Sequence, residues 1–357
     1  MTLLWINLGL VFLLALVSRY FSTPVVAGGY TITVKPNKLL VFGSMAALVA
    51  VSGLRANIGD TYFYKHIYES TDFSWAYIFD EKDIGFGILQ KGLKTLSDDP
   101  QILILTTALL TNVLIVIVLY HYSRKIELSL FVYITGGLFL ISMNGMRQML
   151  AAAIAFTAIK FLMEGKFLKY ALVVVAASFF HQSALILLPI YFLVRVRAWS
   201  KATLVLMVVS VVIAIGFDYF SALLFSALGD SQYGHYRNFD EGGANIIRVA
   251  VNAAPLFIAY LGRDKLRRVF PKSDYVVNMV LIGFIFMVIA TQNWIFARFA
   301  LYFNLYQLIL IAWIIKVFRE RDQAFMYYVI LACYLGYYFY ENVITLNIQY
   351  RSDFFMW

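Results

Sequence analysis

The chain has 357 residues, is 62% hydrophobic and only 14% charged, and carries a formal net charge of +9. A soluble domain has about 25% charged and about 45–50% apolar residues, so a water-soluble globular fold is excluded. The basic excess does not point to nucleic acid, because Lys and Arg collect in the cytoplasmic loops of membrane proteins, and no nucleic-acid partner is expected.

Apolar runs of about 20 residues recur from end to end, each long enough to cross a hydrocarbon core of about 30 Å. Backbone groups in lipid must satisfy their own hydrogen bonds, so these runs are helices. The alternation of barrel strands is absent. The expected fold class is an all-α polytopic membrane protein of about twelve transmembrane helices, with residues 1–357 forming one integral membrane domain. The predicted crossings are 3–17, 39–54, 101–120, 128–143, 145–163, 167–180, 183–194, 202–216, 246–261, 275–290, 294–315 and 324–340. Leu3 to Val17 has no basic residue before it and no small-x-small cleavage site, and Arg19 follows it. It reads as a retained helix rather than a signal peptide.

This arrangement puts 19 of the 29 Lys and Arg on the cytoplasmic side, with only 6 of the 20 Asp and Glu. The asymmetry orients the chain with both termini outside. Residues 167–194 could form one long helix or two short ones meeting at His181. A single helix would turn Arg263-Asp-Lys-Leu-Arg-Arg268 outward, against the positive-inside rule, so two short helices are expected. The long segments, 55–100 and 217–245, then both lie outside, where long loops carry function.

Candidate chemistry collects at that outer end. Arg147 lies in Asn144-Gly145-Met146-Arg147-Gln148, ahead of an alanine-rich helix. Asn144 is the expected N-cap and Gly145 allows a tight turn. A cation beside free helical N–H groups is disfavoured unless an anion shares the site, so a phosphate or pyrophosphate ligand is expected there. The bland alternative is an arginine snorkelling to headgroups. Arg55 closes the second crossing and precedes Asp60 and Tyr64, and Asp60 could equally pair Arg55 or cap the next helix. Asp83, in Asp83-Ile-Gly-Phe-Gly87, is a similar candidate. His181 follows Phe179-Phe180, where it could serve as a base or donor, or only bond a neighbouring carbonyl. Arg298 and Arg248 each sit near the outer end of an apolar run, and ionisable groups so placed are functional candidates by default. Tyr236 and Arg237 lie in the second long loop. Four arginines at outer helix ends suggest a polyanion site, provided that Arg55, Arg147 and Arg298 converge. The one cysteine, Cys333, rules out a disulfide framework and a cysteine metal site. HExxH, GxSxG and P-loop motifs are missing, and the inner loops are too short for a nucleotide fold.

Arg55 through Tyr68 with Asp60 and Tyr64, Asp83-Ile-Gly-Phe, Met146-Arg147-Gln148 before its alanine-rich helix, and Phe179-Phe-His181-Gln-Ser-Ala184 together carry a resemblance. In that order they resemble the EpsG-like group of Wzy-type bacterial polysaccharide polymerases, most densely between residues 55 and 190. The resemblance implies an enzyme of the bacterial cytoplasmic (inner) membrane with its active site on the outer, periplasmic face. It implies a GT-C-like helical architecture, and transfer of a glycan chain from undecaprenyl pyrophosphate to the non-reducing end of a lipid-linked repeat unit. No cofactor and no metal are implied. Membrane lipids surround the protein, and a flippase and a chain-length regulator are candidate partners. On this reading Arg147 and Arg298 hold the donor pyrophosphate, with Arg55 and Arg248 as further pyrophosphate-binding candidates. His181 or Asp60 lies near the acceptor hydroxyl, and Gln148, Asp83, Tyr64, Tyr236 and Arg237 line the substrate site.

Two rivals share much of this pattern. An O-antigen-ligase-like enzyme would use the same donor with another acceptor. A transporter or flippase of lipid-linked sugars would show interrupted helices in matching halves, and no such pairing is read from the sequence.

Overall fold

The computed structural model describes residues 1–27, 30–217 and 242–355, with the backbone alone over 24–27 and 30–34. Helices occupy the place of every predicted crossing. They are α1 (Thr2–Tyr20), α2 (Lys38–Gly53), α3 (Thr61–Ser70), α4 (Trp75–Asp80), α5 (Ile84–Lys94), α6 (Gln101–Tyr122), α7 (Ile126–Thr135), α8 (Leu138–Asn144), α9 (Met146–Phe156), α10 (Ile159–Glu164), α11 (Phe167–Ser178), α12 (Leu187–Leu193) and α13 (Lys201–Ile215). Beyond 242 come α14 (Ile246–Leu261), α15 (Arg263–Val269), α16 (Ser273–Ile289), α17 (Ile295–Ile314) and α18 (Glu320–Phe339). Among the described residues four unbroken helical stretches are long and apolar enough to cross a membrane, or up to six if each of two bent pairs is one span. The chain is therefore a helical membrane protein. Five of the expected crossings are apolar helices of only 10–17 residues.

One short hairpin accompanies the helices. Strands β1 (Thr23–Ala27) and β2 (Tyr30–Lys35) pair antiparallel, Thr23 opposite Lys35. Runs rich in Thr, Val and Ile either side of Gly28-Gly29 are a hairpin pattern that apolar length alone does not reveal.

α17 runs through the middle of the bundle, with residues such as Phe303, Leu305, Ile309 and Ile311 fully enclosed. Ala151, Ala152, Ala153 and Ala155 are equally buried on α9. These small side chains let α9 lie close to its neighbours α6, α11 and α17, as small residues do between membrane helices. One end of the bundle is basic. Arg19, in the last turn of α1, pairs with buried Glu127 in the first turn of α7, each charge matching the dipole of its own helix. At the same end Arg267 bridges Asp274 at 3.0 Å, Lys272 donates to Met163 O at 3.0 Å and the Trp313 indole donates to Tyr122 O at 2.8 Å.

Three local features shape the opposite end. The 128–143 crossing is broken, with α7 and α8 meeting at 55° around Gly136-Gly137. Gly137 has φ +90°, which side chains rarely adopt. The second bent pair, α14 and α15, turns 82° at the basic end instead, so the two breaks are not equivalent. Residues 167–194 fold back on themselves: α11 ends at Ser178, the chain turns at His181, and a 3₁₀ turn (Gln182–Ile186) leads into α12. Arg195 returns beside Gly165, 3.1 Å from where a β-carbon would stand, so one long helix is not formed. Finally, the C-terminal segment straps back over the end of α2. Ala56 N donates to Arg351 O at 2.9 Å, Arg351 N to Asn57 Oδ1 at 2.7 Å and Tyr350 Oη to Val51 O at 2.8 Å.

Candidate functional site

The site is built outward from the loop after α2. Ile58 and Gly59 both have positive φ, and they set Asp60 ahead of α3. Asp60 N donates to Asn144 Oδ1 at 3.0 Å. A β-carbon on Gly59 would stand 2.1 Å from the same oxygen, so the turn requires glycine. Asn144 is therefore not the N-cap of α9, as its position suggests; that place belongs to Gly145 and has no side-chain cap. Asn144 is spent on the Asp60 loop instead.

Arg55 does not line the cavity described below, contrary to its expected place among the phosphate ligands. It is 1% exposed. Nε donates to Thr61 Oγ1 at 2.9 Å, Nη2 to Met143 O at 2.7 Å and Nη1 to Ser52 O. Ser52 and Met143 lie in the last turns of α2 and α8, where carbonyls lack intrahelical partners and the dipole favours a cation. Arg55 thus ties two helix ends together.

Arg147 does sit in the first turn of α9, but part of the expected anion is supplied by the protein. Its Nη1 lies 3.0 Å from Oδ2 of Asp83. Asp83 is buried, and its Oδ1 accepts from Gln182 N at 3.2 Å. Burial holds the Asp83 carboxyl above its ordinary value, with Arg147 opposing. Two residues on, Gly85 N donates to Phe179 O at 2.7 Å, and a β-carbon there would meet that oxygen at 2.9 Å. The Asp83–Gly87 stretch therefore docks on the turn that presents His181. Asp83, expected at the substrate, is outside the lining of the cavity described below and contacts Arg147 and this turn.

His181 is held by its own turn. Nδ1 accepts from Ser183 N at 3.4 Å and lies 2.8 Å from Ser183 Oγ. Ser183 Oγ is in turn 2.8 Å from Tyr302 Oη on α17. Burial, with Arg147 and Arg298 nearby, pushes the imidazole down to about 4, so it is neutral near pH 7. Gln148, expected at the substrate, is buried and donates to Arg298 O at 3.0 Å, joining α9 to α17.

Across the site, the Arg298 guanidinium lies 4.7 Å from the Trp294 ring. Arg248, on α14, pairs with Glu341 through Nε at 2.7 Å and through Nη2. Glu341 is 3% exposed and sits on a π-helical turn (Tyr340–Thr345) that ends α18. π-Turns recur at functional sites. Glu341 escapes a sequence reading centred on arginines, although an acidic group ending an apolar run is the available signal. Asn304 and Gln307 on α17 escape it for the same reason.

These groups share one cavity of about 680 Å³. Arg147, Arg298, Arg248, His181, Gln148, Asp60 and Tyr64 line it, together with Glu341, Asn304, Gln307 and the glycines of the α7–α8 break. Irregular backbone at membrane depth is tolerated where it lines a cavity, and Gly136-Gly137 is so placed. The cavity reaches along α17 from Trp294 to Leu308, about 20 Å at 1.5 Å per residue. Three of the four arginines thus meet, and Arg55 stands behind them. Tyr236 and Arg237 lie outside the described residues. Among the described residues no group of three or more His, Cys, Asp or Glu is arranged to hold a metal ion.

Comparison with known proteins adds the family. No curated protein and no solved structure matches the chain significantly. The EpsG family matches residues 38–352, a stretch that includes every cavity residue named above. That family suggests a polysaccharide-polymerase-type, glycosyltransferase-like function. On this match the chain belongs to the EpsG family.

Proposed function

We propose that this protein polymerises lipid-linked repeat units at the outer face of the bacterial cytoplasmic membrane. The observation that carries this reading is the meeting of Arg147, Arg298 and His181 on one cavity at the end of the bundle away from the basic cluster. Positive-inside orientation then puts the cavity outside, where a glycan can grow. The helices at all twelve predicted positions are read as crossings in a GT-C-like arrangement.

The donor is a glycan chain on undecaprenyl pyrophosphate, its pyrophosphate against Arg147 and Arg298, with Arg248 on the far wall. The acceptor is the non-reducing end of a second lipid-linked unit, its hydroxyl near Asp60 or His181, with Tyr64 against the sugar. The hydroxyl oxygen attacks the anomeric carbon, the carbon–oxygen bond to pyrophosphate breaks, and the configuration inverts. Negative charge develops on the leaving pyrophosphate. Preorganised donors aimed at developing charge usually contribute more to catalysis than any other single effect. Arginines can stabilise that charge in place of a divalent metal. A flippase would supply the lipid-linked unit, and a chain-length regulator would set when transfer stops.

Purified protein in detergent, given a lipid-pyrophosphate-linked repeat unit with and without EDTA, is expected to produce a glycan ladder in both cases. Arg147→Ala is expected to abolish the ladder and leave thermal unfolding within a few degrees of wild type. Translocation of the lipid-linked sugar by proteoliposomes that make no ladder would overturn the reading in favour of a transporter.

A further inference from the structure

The cavity holds two groups able to act on a hydroxyl proton, His181 and Asp60, and their surroundings separate them. A main-chain amide can only donate, so the Ser183 N–H directed at Nδ1 makes Nδ1 the lone-pair nitrogen of the ring. The neutral imidazole then carries its proton on Nε2. Ser183 Oγ and Tyr302 Oη continue the network on the Nδ1 side, so the Nε2 edge is the one left for the cavity. A ring held this way presents an N–H, not a lone pair.

The carboxylates differ as well. Among the described residues Asp60 and Glu341 are the acidic groups lining the cavity. Glu341 Oε1 is taken by Arg248, and Oε2 is sealed from solvent. Asp60 is partly exposed at the mouth. It uses its main-chain N–H on Asn144, while its side chain caps nothing and joins no ion pair among the described residues.

Resting on the polymerase reading, we propose that Asp60 is the general base and that His181 is a neutral donor, through Nε2–H, to the donor pyrophosphate beside Arg147 and Arg298. The acceptor O–H proton passes to the Asp60 carboxylate as the oxygen bonds to the anomeric carbon. The electron pair of the broken carbon–oxygen bond goes to pyrophosphate, where both guanidinium groups and the imidazole N–H meet it. Burial, with two flanking arginines, keeps the imidazole uncharged, its pKa lowered to about 4. A neutral histidine polarising an oxygen is an established catalytic arrangement.

The test measures ladder formation and donor KM for Asp60→Asn, His181→Gln and His181→Ala, each checked for wild-type thermal unfolding. Loss of a general base lowers rate by about 10²–10⁴-fold. Asp60→Asn should lose kcat in that range with donor KM unchanged. His181→Ala should raise donor KM, and His181→Gln, whose amide N–H replaces Nε2–H, should restore it to within about tenfold of wild type. An active Asp60→Asn overturns the base assignment, and a His181→Gln no better than His181→Ala overturns the donor assignment. A wild-type protein that forms no ladder counts against the polymerase reading itself, a separate failure.

Discussion

Replacing Arg55 by lysine tests whether this arginine belongs to the fold or to the site. The substitution keeps the charge and its burial but removes the fork. A lysine Nζ on its shorter reach lacks the planar fork with which Arg55 serves Thr61 Oγ1, Ser52 O and Met143 O together, and is expected to keep one of the three. Two charge-assisted bonds are lost, each contributing about 1.5–3 kcal/mol, so about 3–6 kcal/mol of stability is at stake. Proteins hold only about 5–15 kcal/mol in total. The expected result is a sharply lower unfolding temperature in detergent, while the fraction that stays folded at low temperature polymerises at a near-normal specific rate. Intrinsic fluorescence from the six tryptophans follows unfolding, and a glycan ladder normalised to folded protein follows activity. If Arg55→Lys unfolds with wild type yet loses polymerisation, Arg55 acts on the substrate and the structural assignment fails.

Gly59→Ala forces a side chain into φ +50° and against Asn144 Oδ1. A cost of about 1–3 kcal/mol is expected, with polymerisation reduced because Asp60 is displaced; wild-type unfolding and activity together would refute the turn argument. Asp83→Asn keeps an acceptor for Gln182 N but removes the charge that orients Arg147, so donor KM should rise, and an unchanged KM would show that Arg147 needs no such partner. The same variant has a pH signature. Asp83 has a folded-state pKa raised by burial, so the folded state binds its proton more tightly. The wild type should lose that increment of stability as pH rises through the raised value, and Asp83→Asn should not.

The sequence alone determined the helical membrane class and the places of the long apolar helices, because an apolar run in lipid has no other way to satisfy its backbone. The motifs around Arg55, Asp83, Arg147 and His181 also determined the family, since they are local and ordered. The turn at His181 was legible from charge sidedness, as a single helix there would have reversed every later loop. Hairpin β1–β2 is equally local, but it is carried by β-branched residues around a Gly-Gly turn and not by apolar length. Tertiary structure alone decided which charged groups share a cavity. Arg55 and Arg147 look alike in sequence, each at the end of an apolar helix. One is enclosed by carbonyls from two helices, and the other opens on a cavity with Asp83 behind it. Glu341 meets Arg248 across 93 residues, and Gln148 meets Arg298 across 150. Partners that distant are set by how the helices pack, and no local spacing encodes them.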